Sequence, residues 1–264
     1  MYEFAYHKPT SVADAVSLLK NADDPALMAG GQTLLPTLKQ RLAQPSDLID
    51  LGGIAELKGI REEAGKLVIG AMTRHGEIAK SGLVKERIPG LAQLAGWVGD
   101  PQVRNLGTIG GSVSNNDPAA DYPAALVALN ATVQTDQRQI AAEDFFTGMF
   151  ETALNEDELL TAVHFPIPEK SAYQKFRNPA SRYAMTGVMV AVVSGNARVA
   201  VTGAGASVFR ASDIEQALSS NFSPEAVDGV TIDPSGLNED IHGSAEYRAN
   251  LVKVMAKRAV AEIV

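Results

Sequence analysis

The 264-residue sequence contains no cysteine. Disulfides, thiolate nucleophiles and cysteine-held zinc or iron–sulfur centres are therefore excluded from this chain. Histidine is scarce: His7, His75, His164 and His242 stand far apart and form no HExxH or other helical pair, so no metal site is expected. No apolar run approaches the roughly 20 residues of a membrane span. The opening Met1-Tyr2-Glu3-Phe4-Ala5-Tyr6-His7-Lys8 lacks a basic region followed by an apolar stretch, so no signal peptide is expected and cytoplasmic placement is the default expectation. Positive charge is in deficit. With 23 Lys+Arg against 31 Asp+Glu, the formal charge of −8 argues against a general nucleic-acid surface, which needs clustered cations to neutralise phosphates.

Several catalytic signatures are missing too. There is no GxxxxGK[ST], and the region of Ser112 is not GxSxG, because position 114 is Ser. Gly203-Ala204-Gly205 begins like a dinucleotide-binding fingerprint, but Val208 stands where its third glycine belongs. No carboxylate pair stands out for acid–base work, and Glu62-Glu63 reads as the surface of a turn. No catalytic residue is assigned. Redox chemistry in such a chain needs an organic cofactor.

What is present is an ordinary globular composition, 45% hydrophobic and 20% charged, long enough for one large or two to three small domains. Ser11 is a plausible cap for a helix carrying Val12, Ala15, Val16 and Leu19, and Ala26–Ala29 and Asp47–Leu51 read as short strands. A hairpin is expected around Glu62-Glu63-Ala64-Gly65, then helices over Arg74–Ser81 and Gly90–Gly96. Gly99–Asp121 reads as a long Gly/Asn/Asp/Pro-rich loop, a kind of segment that is often functional. A helix from about Pro123 and strands near Thr132–Thr135 and Leu160–Phe165 follow. Pro166–Lys170 is the best boundary, with three strands and two helices beyond it, an α+β arrangement.

Two glycine pairs carry the chemistry. In Ala29-Gly30-Gly31-Gln32-Thr33-Leu34-Leu35 the paired glycines follow a strand, where they permit positive φ and let bare N–H groups approach an anion. The alternative is a tight strand-to-helix turn capped by Thr33. In Asn105 to Asp117 three glycines in five positions, Gly107, Gly110 and Gly111, are flanked by hydroxyl and amide side chains, and Ile109 offers an apolar wall to a ring system. This reads as an anion nest with donors for phosphate and ribityl oxygens, or else as a structural Ω-loop. Two such loops reinforce one another, because a dinucleotide diphosphate needs donors from more than one side. Asp121, before a helix, either caps it or bonds cofactor hydroxyls, while Arg104 is better read as solvated.

With both loops in view, nearly the whole chain resembles the FAD-binding medium subunits of the molybdenum hydroxylases, in the style of the carbon monoxide dehydrogenase medium subunit and the xanthine dehydrogenase flavin domain. The resemblance runs through Phe4–Pro9, Ala29–Pro36, Gln44–Asp50, Arg104–Ser112, Asp117–Asp121 and Phe176–Arg182. It implies an α+β fold: a two-subdomain FAD-binding fold of the vanillyl-alcohol-oxidase (PCMH) type over 1–54 and 55–170, then a C-terminal domain over 171–264 with a three-stranded antiparallel sheet and helices. By matching positions, Ala29, Gly30, Gly31, Gln32, Thr33, Leu34 and Leu35 wrap the diphosphate. Thr108, Ile109, Gly110, Gly111 and Ser112 meet its other side and the ribityl chain. Asn115 and Asp121 bond the ribityl or adjacent groups, and Leu160 contacts the flavin ring. Arg177 falls near a position where relatives often carry Lys, and Ser112 replaces a common Asn.

The resemblance also implies partners: a large molybdenum–pterin subunit and a small subunit with two [2Fe–2S] clusters, assembled as a dimer of heterotrimers, with an external electron acceptor. FAD would be the cofactor of this chain. A free-standing FAD-dependent oxidase or reductase with its own substrate site is the competing reading, although the C-terminal region lacks an obvious catalytic cluster. A pure ligand-binding or assembly module is the non-enzymatic one.

Overall fold

A computed structural model describes residues 1–264. The first sheet has three short parallel strands, β1 (Ala5–His7), β2 (Pro25–Met28) and β3 (Asp47–Asp50), in the order β1-β3-β2. The expected helix lies between β1 and β2 as Val12–Asn21, and the Ser11 hydroxyl accepts from the Asp14 N–H at its start. The core beneath this sheet is small. Ala15, Leu19, Ile49, Leu51, Ile54 and Leu57 are completed by Met72 and Leu159, which arrive from much later in the chain.

The second sheet is antiparallel. It contains β4 (Ile60–Glu63), β5 (Lys66–Gly70), β6 (Thr132–Thr135) and β7 (Gln139–Ala141); β8 (Phe146–Gly148) and β9 (Glu151–Thr152) form a separate hairpin, and β10 (Leu160–Pro166) returns to the centre of the sheet. The order is β4-β5-β10-β6-β7. Helices His75–Lys80, Gly82–Arg87, Pro89–Trp97 and Tyr122–Ala128 accompany it.

The Gly99–Asp121 stretch corrects the expectation of a long loop, for it holds two short helices, Pro101–Leu106 and Ile109–Asn115. Each is made by local chemistry that a search for amphipathic periodicity passes over. The Asp100 carboxylate accepts from the Val103 N–H, with Pro101 in the first turn, where its missing N–H costs nothing. Thr108 Oγ1 accepts from the Gly111 N–H, and Asn116 ends the second helix in the left-handed region at φ 42°. At six and seven residues, neither helix is long enough to show a stripe.

The third sheet also differs from expectation. Besides β11 (Lys170–Arg177), β12 (Ala184–Val193) and β13 (Asn196–Thr202) it has a fourth strand, β14 (Phe209–Arg210), paired antiparallel to β13 through two residues only. So short a strand leaves no alternation to read. One face of the sheet packs on helices Ser212–Ser220 and Ala245–Ala261. The other face joins the core of the second sheet, so that Tyr173, Met189 and Ala200 are buried with Leu67, Leu91, Tyr122 and Phe165.

Two buried contacts in this joint core have measurable consequences. His75 is 4% exposed, and its Nδ1 lies 3.1 Å from Tyr122 Oη. Burial, with Arg104 nearby, holds its imidazole down at about 4. The unfolded chain, with an ordinary histidine, therefore binds more protons between that value and about 6.5. This contribution to stability is complete above about pH 6.5 and declines as pH falls toward 4. Between pH 7 and pH 5 the expected loss from this group is about 2 kcal/mol, read as a shift in the urea midpoint. His75→Gln should remove that share of the slope; equal slopes in both proteins would show that the ring ionises freely in the fold.

Gly187 faces Tyr173 across β11 and β12, and a methyl there would lie 2.2 Å from Tyr173 Oη and 3.0 Å from Thr202 Cγ2. Gly187→Ala should destabilise the chain by about 1–3 kcal/mol through overpacking. An unchanged denaturation midpoint would mean that the tyrosine hydroxyl has another place to go.

Candidate cofactor-binding site

The structure brings the two glycine pairs together. Gly30 lies against the backbone of the second segment: a Cβ on it would sit 2.2 Å from the Leu106 carbonyl oxygen and 2.7 Å from Gly107 Cα. A Cβ at Gly111 would sit 3.2 Å from Ala29 Cβ. The two loops, far apart in sequence, therefore form one surface whose closeness depends on glycine. Gly31 is needed for conformation as well, with φ +69° in the left-handed region.

The first loop keeps its donors free. The backbone N–H groups of Gly30, Gly31, Gln32, Thr33 and Leu34 make no hydrogen bond within the chain, whereas Leu35 N–H already bonds the Gly31 carbonyl. The segment is a strand-to-helix turn with Thr33 at the N-cap position of the helix Leu34–Lys39, but the Thr33 side chain makes no capping hydrogen bond. Five successive backbone donors are thus unspent on a turn with one left-handed glycine, the arrangement of donors that an anion site requires. Gln32 and Thr33 are exposed beside it, with the Gln32 amide only 3.5 Å from the Gly30 carbonyl.

The second segment corrects the expectation of a nest. Most of its backbone donors are spent internally, and the Thr108 N–H stands alone without a partner: Gly107 N–H bonds Val103 O, Ile109 N–H Thr73 O, Gly110 N–H Ala71 O, Gly111 N–H Thr108 Oγ1 and Ser112 N–H Thr108 O. These bonds seat it on the ends of β5 and the following turn, and Gly110 presses on Ala71, where a Cβ would come within 2.6 Å of the alanine methyl. What it presents outward is the partly exposed side of the helix Ile109–Asn115: Gly111, Ser112, Ser114 and Asn115, whose side-chain hydroxyls and amide have no partner in the chain. The apolar wall expected of Ile109 is also corrected. Its side chain is 0% exposed inside the core, because the helix it begins turns it inward. Leu160 is a core residue as well, at 4% exposure.

Asp121 does not cap the helix that follows it. Its buried carboxylate accepts from Tyr173 Oη at 2.5 Å and from Lys175 Nζ at 2.9 Å. Burial pushes this carboxyl up, while the Lys175 charge and the Tyr173 hydroxyl pull it back down. A lone buried charge is costly, and here the ammonium answers it. Arg177 lies over the Trp97 ring, 4.7 Å from its centroid. Arg104 is folded back, donating to the carbonyls of Val98 and Gly99, and is not free in solvent as expected.

Four residues packed around the second segment lie outside the sequence-based expectations. Lys175 and Trp97 belong to no motif, although a lysine two residues after Tyr173 in a strand shares its inward face. His75 supports the glycine segment. Its backbone N–H bonds the Gly107 carbonyl, and a Cβ at Gly107 would lie 2.7 Å from its Nε2. Asn116 ends the helix Ile109–Asn115 and donates from its amide to the carbonyls of Gly148 and Glu151, pinning the β8–β9 hairpin.

Known proteins resemble this chain along nearly its whole length. The family described as the FAD binding domain in molybdopterin dehydrogenase matches residues 2–168. The carbon monoxide dehydrogenase medium chain of Hydrogenophaga pseudoflava is 37% identical over 97% of this chain and 96% of its own length. The nicotine 6-hydroxylase medium subunit of Paenarthrobacter nicotinovorans is 36% identical over 97% of this chain and 96% of its own. In the solved structure of reconstituted CO dehydrogenase from Oligotropha carboxidovorans, one chain superposes with a TM-score of 0.90 at 35% identity, covering 98% of this chain and 97% of that one. No helix is long and apolar enough to cross a membrane. With two glycine pairs brought onto one surface, an α+β fold shared with these enzymes and dehydrogenase subunits among its relatives, the chain belongs to the family of FAD-binding domains of molybdopterin dehydrogenases.

Proposed function

We propose that this chain is the FAD-carrying electron-transfer subunit of a heteromeric molybdenum hydroxylase. In this reading it takes electrons from the [2Fe–2S] clusters of a small partner subunit, while a large molybdenum–pterin subunit oxidises the substrate. An external acceptor removes the electrons. The observation that carries the reading is the run of five unspent donors from Gly30 to Leu34, held against the second glycine segment by Gly30 itself. A dinucleotide with two phosphates matches such a surface in charge, and the free hydroxyl and amide groups on the neighbouring helix match its polyol chain.

Ala29–Leu35 would hold the diphosphate, with Gly111, Ser112 and Asn115 facing it from the other segment. Thr108 and Gly110 act by shaping that segment, through the cap on Gly111 and the close packing on Ala71. Ile109 and Leu160 act from behind, as core residues beneath the site. Asp121 and Arg177 bear on the same region through Lys175, Tyr173 and Trp97. When bound, FAD supplies the redox chemistry, accepting electrons one at a time and releasing them singly or in pairs. The chain itself orients the cofactor and needs no nucleophile or general base.

We also place divisions at 54/55 and 170/171, giving three units. A separate sheet in each unit supports this, while the shared core couples the second unit to the third.

Co-purification of the native complex, with a visible spectrum and identification of its subunits, tests the reading. A flavin spectrum and two partner subunits are expected; an intact complex without flavin would sink it. Gly30→Ala drives a methyl into the Leu106 carbonyl. It should weaken FAD binding roughly tenfold to a hundredfold, the equivalent of about 1–3 kcal/mol of overpacking. Full flavin occupancy in a Gly31→Val, Gly111→Val double variant would also overturn the assignment.

A further inference from the structure

The second glycine segment lies between two points that are gripped by a single strand. At its upstream end is Trp97, the only tryptophan in the chain, and at its downstream end is Asp121. Lys175 of β11 reaches both: its ammonium donates to the Trp97 carbonyl at 3.1 Å and to Asp121 Oδ2 at 2.9 Å. The Lys175 side chain is 0% exposed. Its neighbours in alternation join the same grip. Tyr173 donates to Asp121 Oδ1 at 2.5 Å, its ring centroid 6.2 Å from that of Trp97, and Arg177 covers the Trp97 ring. From Trp97 the connection continues inward, because the next two carbonyls, of Val98 and Gly99, hold Arg104 on the helix that leads to Gly107.

A buried lysine with two carbonyl or carboxylate acceptors is an expensive way to fill space, since an apolar side chain of similar volume would avoid the desolvation cost. Its placement makes sense as a constraint on geometry. Fixing both ends of a loop-bearing segment to one rigid strand removes much of the conformational freedom that a ligand would otherwise have to quench.

We propose that Lys175 is a positioning residue for the cofactor site: by clasping Trp97 and Asp121 from β11, it holds the segment bearing Gly107, Gly110 and Gly111 in register with the first glycine loop. The C-terminal sheet then contributes to cofactor binding through the ends of this segment, at a distance from the glycines themselves. The inference rests on the FAD reading above for its effect on affinity, and on the structure alone for its effect on the segment.

The test uses the full chain as wild type, Lys175→Met and Lys175→Arg, with two measurements. Amide hydrogen exchange of residues 107–112 is followed without cofactor, and FAD affinity is followed by quenching of flavin fluorescence. Lys175→Met should accelerate exchange in this segment about tenfold, while the β12–β13 amides keep their protection. It should weaken FAD binding by about the same factor, and Lys175→Arg, which keeps the charge and two donors, should recover most of both losses. Unchanged exchange and affinity in Lys175→Met would overturn the proposal. So would acceleration spread evenly over β12 and β13, which would make Lys175 a stabilising residue only. If Lys175→Met does not fold, Asp121→Asn/Lys175→Met removes both charges together. The exchange comparison is then made on that double variant: acceleration confined to residues 107–112 supports the clasp, and unchanged or evenly spread exchange overturns it. A wild-type chain that binds no FAD would count against the function proposed above, and the exchange data would still decide the clasp.

Discussion

At Gly30 the chain has room for a hydrogen and nothing larger. The Leu106 peptide lies across it so closely that any side chain would part the two segments. The rest of the site depends on that contact. The first loop can leave five donors unspent because the second segment supports it from below, and the second segment can spend its own donors on β5 and its own helix because the first loop supplies the ones a ligand needs. The labour is divided unequally. One side presents free backbone donors, while the other is a shaped platform with hydroxyl and amide groups along its partly exposed edge.

Much of this is legible in the amino-acid sequence, and for a physical reason. Glycine has no substitute at a close backbone approach or a left-handed φ, and the paired glycines that include Gly30, Gly31 and Gly110 can be read directly from the chain. Ser11 as a cap, the turn at Glu62–Gly65 and the long strands of the third sheet are legible for the same kind of reason: each is set by a few adjacent residues. What stays hidden is set at long range. The helices Pro101–Leu106 and Ile109–Asn115 are too short and too rich in glycine and polar residues to show a stripe, and without them the segment reads as a loop with open donors. Ile109 reads as a wall for a ring until the helix that starts there turns it into the core. The partnership of Lys175 with Asp121 links positions more than fifty residues apart, and no local pattern announces it.

The C-terminal sheet has a part in the site that its distance from the glycines conceals. Its outer face packs on its own two helices, as a self-contained domain would. Its inner face continues the core of the second sheet, and from that face Tyr173 and Lys175 reach the segment that carries Gly107 to Gly111. A chain whose relatives work in assemblies has reason to bind its cofactor this way. Affinity built into a preorganised frame survives the small adjustments that docking of neighbouring subunits imposes.

The small core under the first sheet is closed by Met72 and Leu159, and this bears on the order in which the molecule is made. The strands holding Gly30 leave the ribosome early, but the residue that seals their core follows about a hundred positions later, on the order of ten seconds at ordinary synthesis rates. During that interval three short parallel strands have no finished interior, and through its first half they lack the Leu106 peptide as well. The surface at Gly30 is thus a late product of synthesis, complete only when the middle of the chain has folded back over its beginning. A nascent chain stalled before Leu159 would present the glycine motif intact in sequence over a core that is not yet closed.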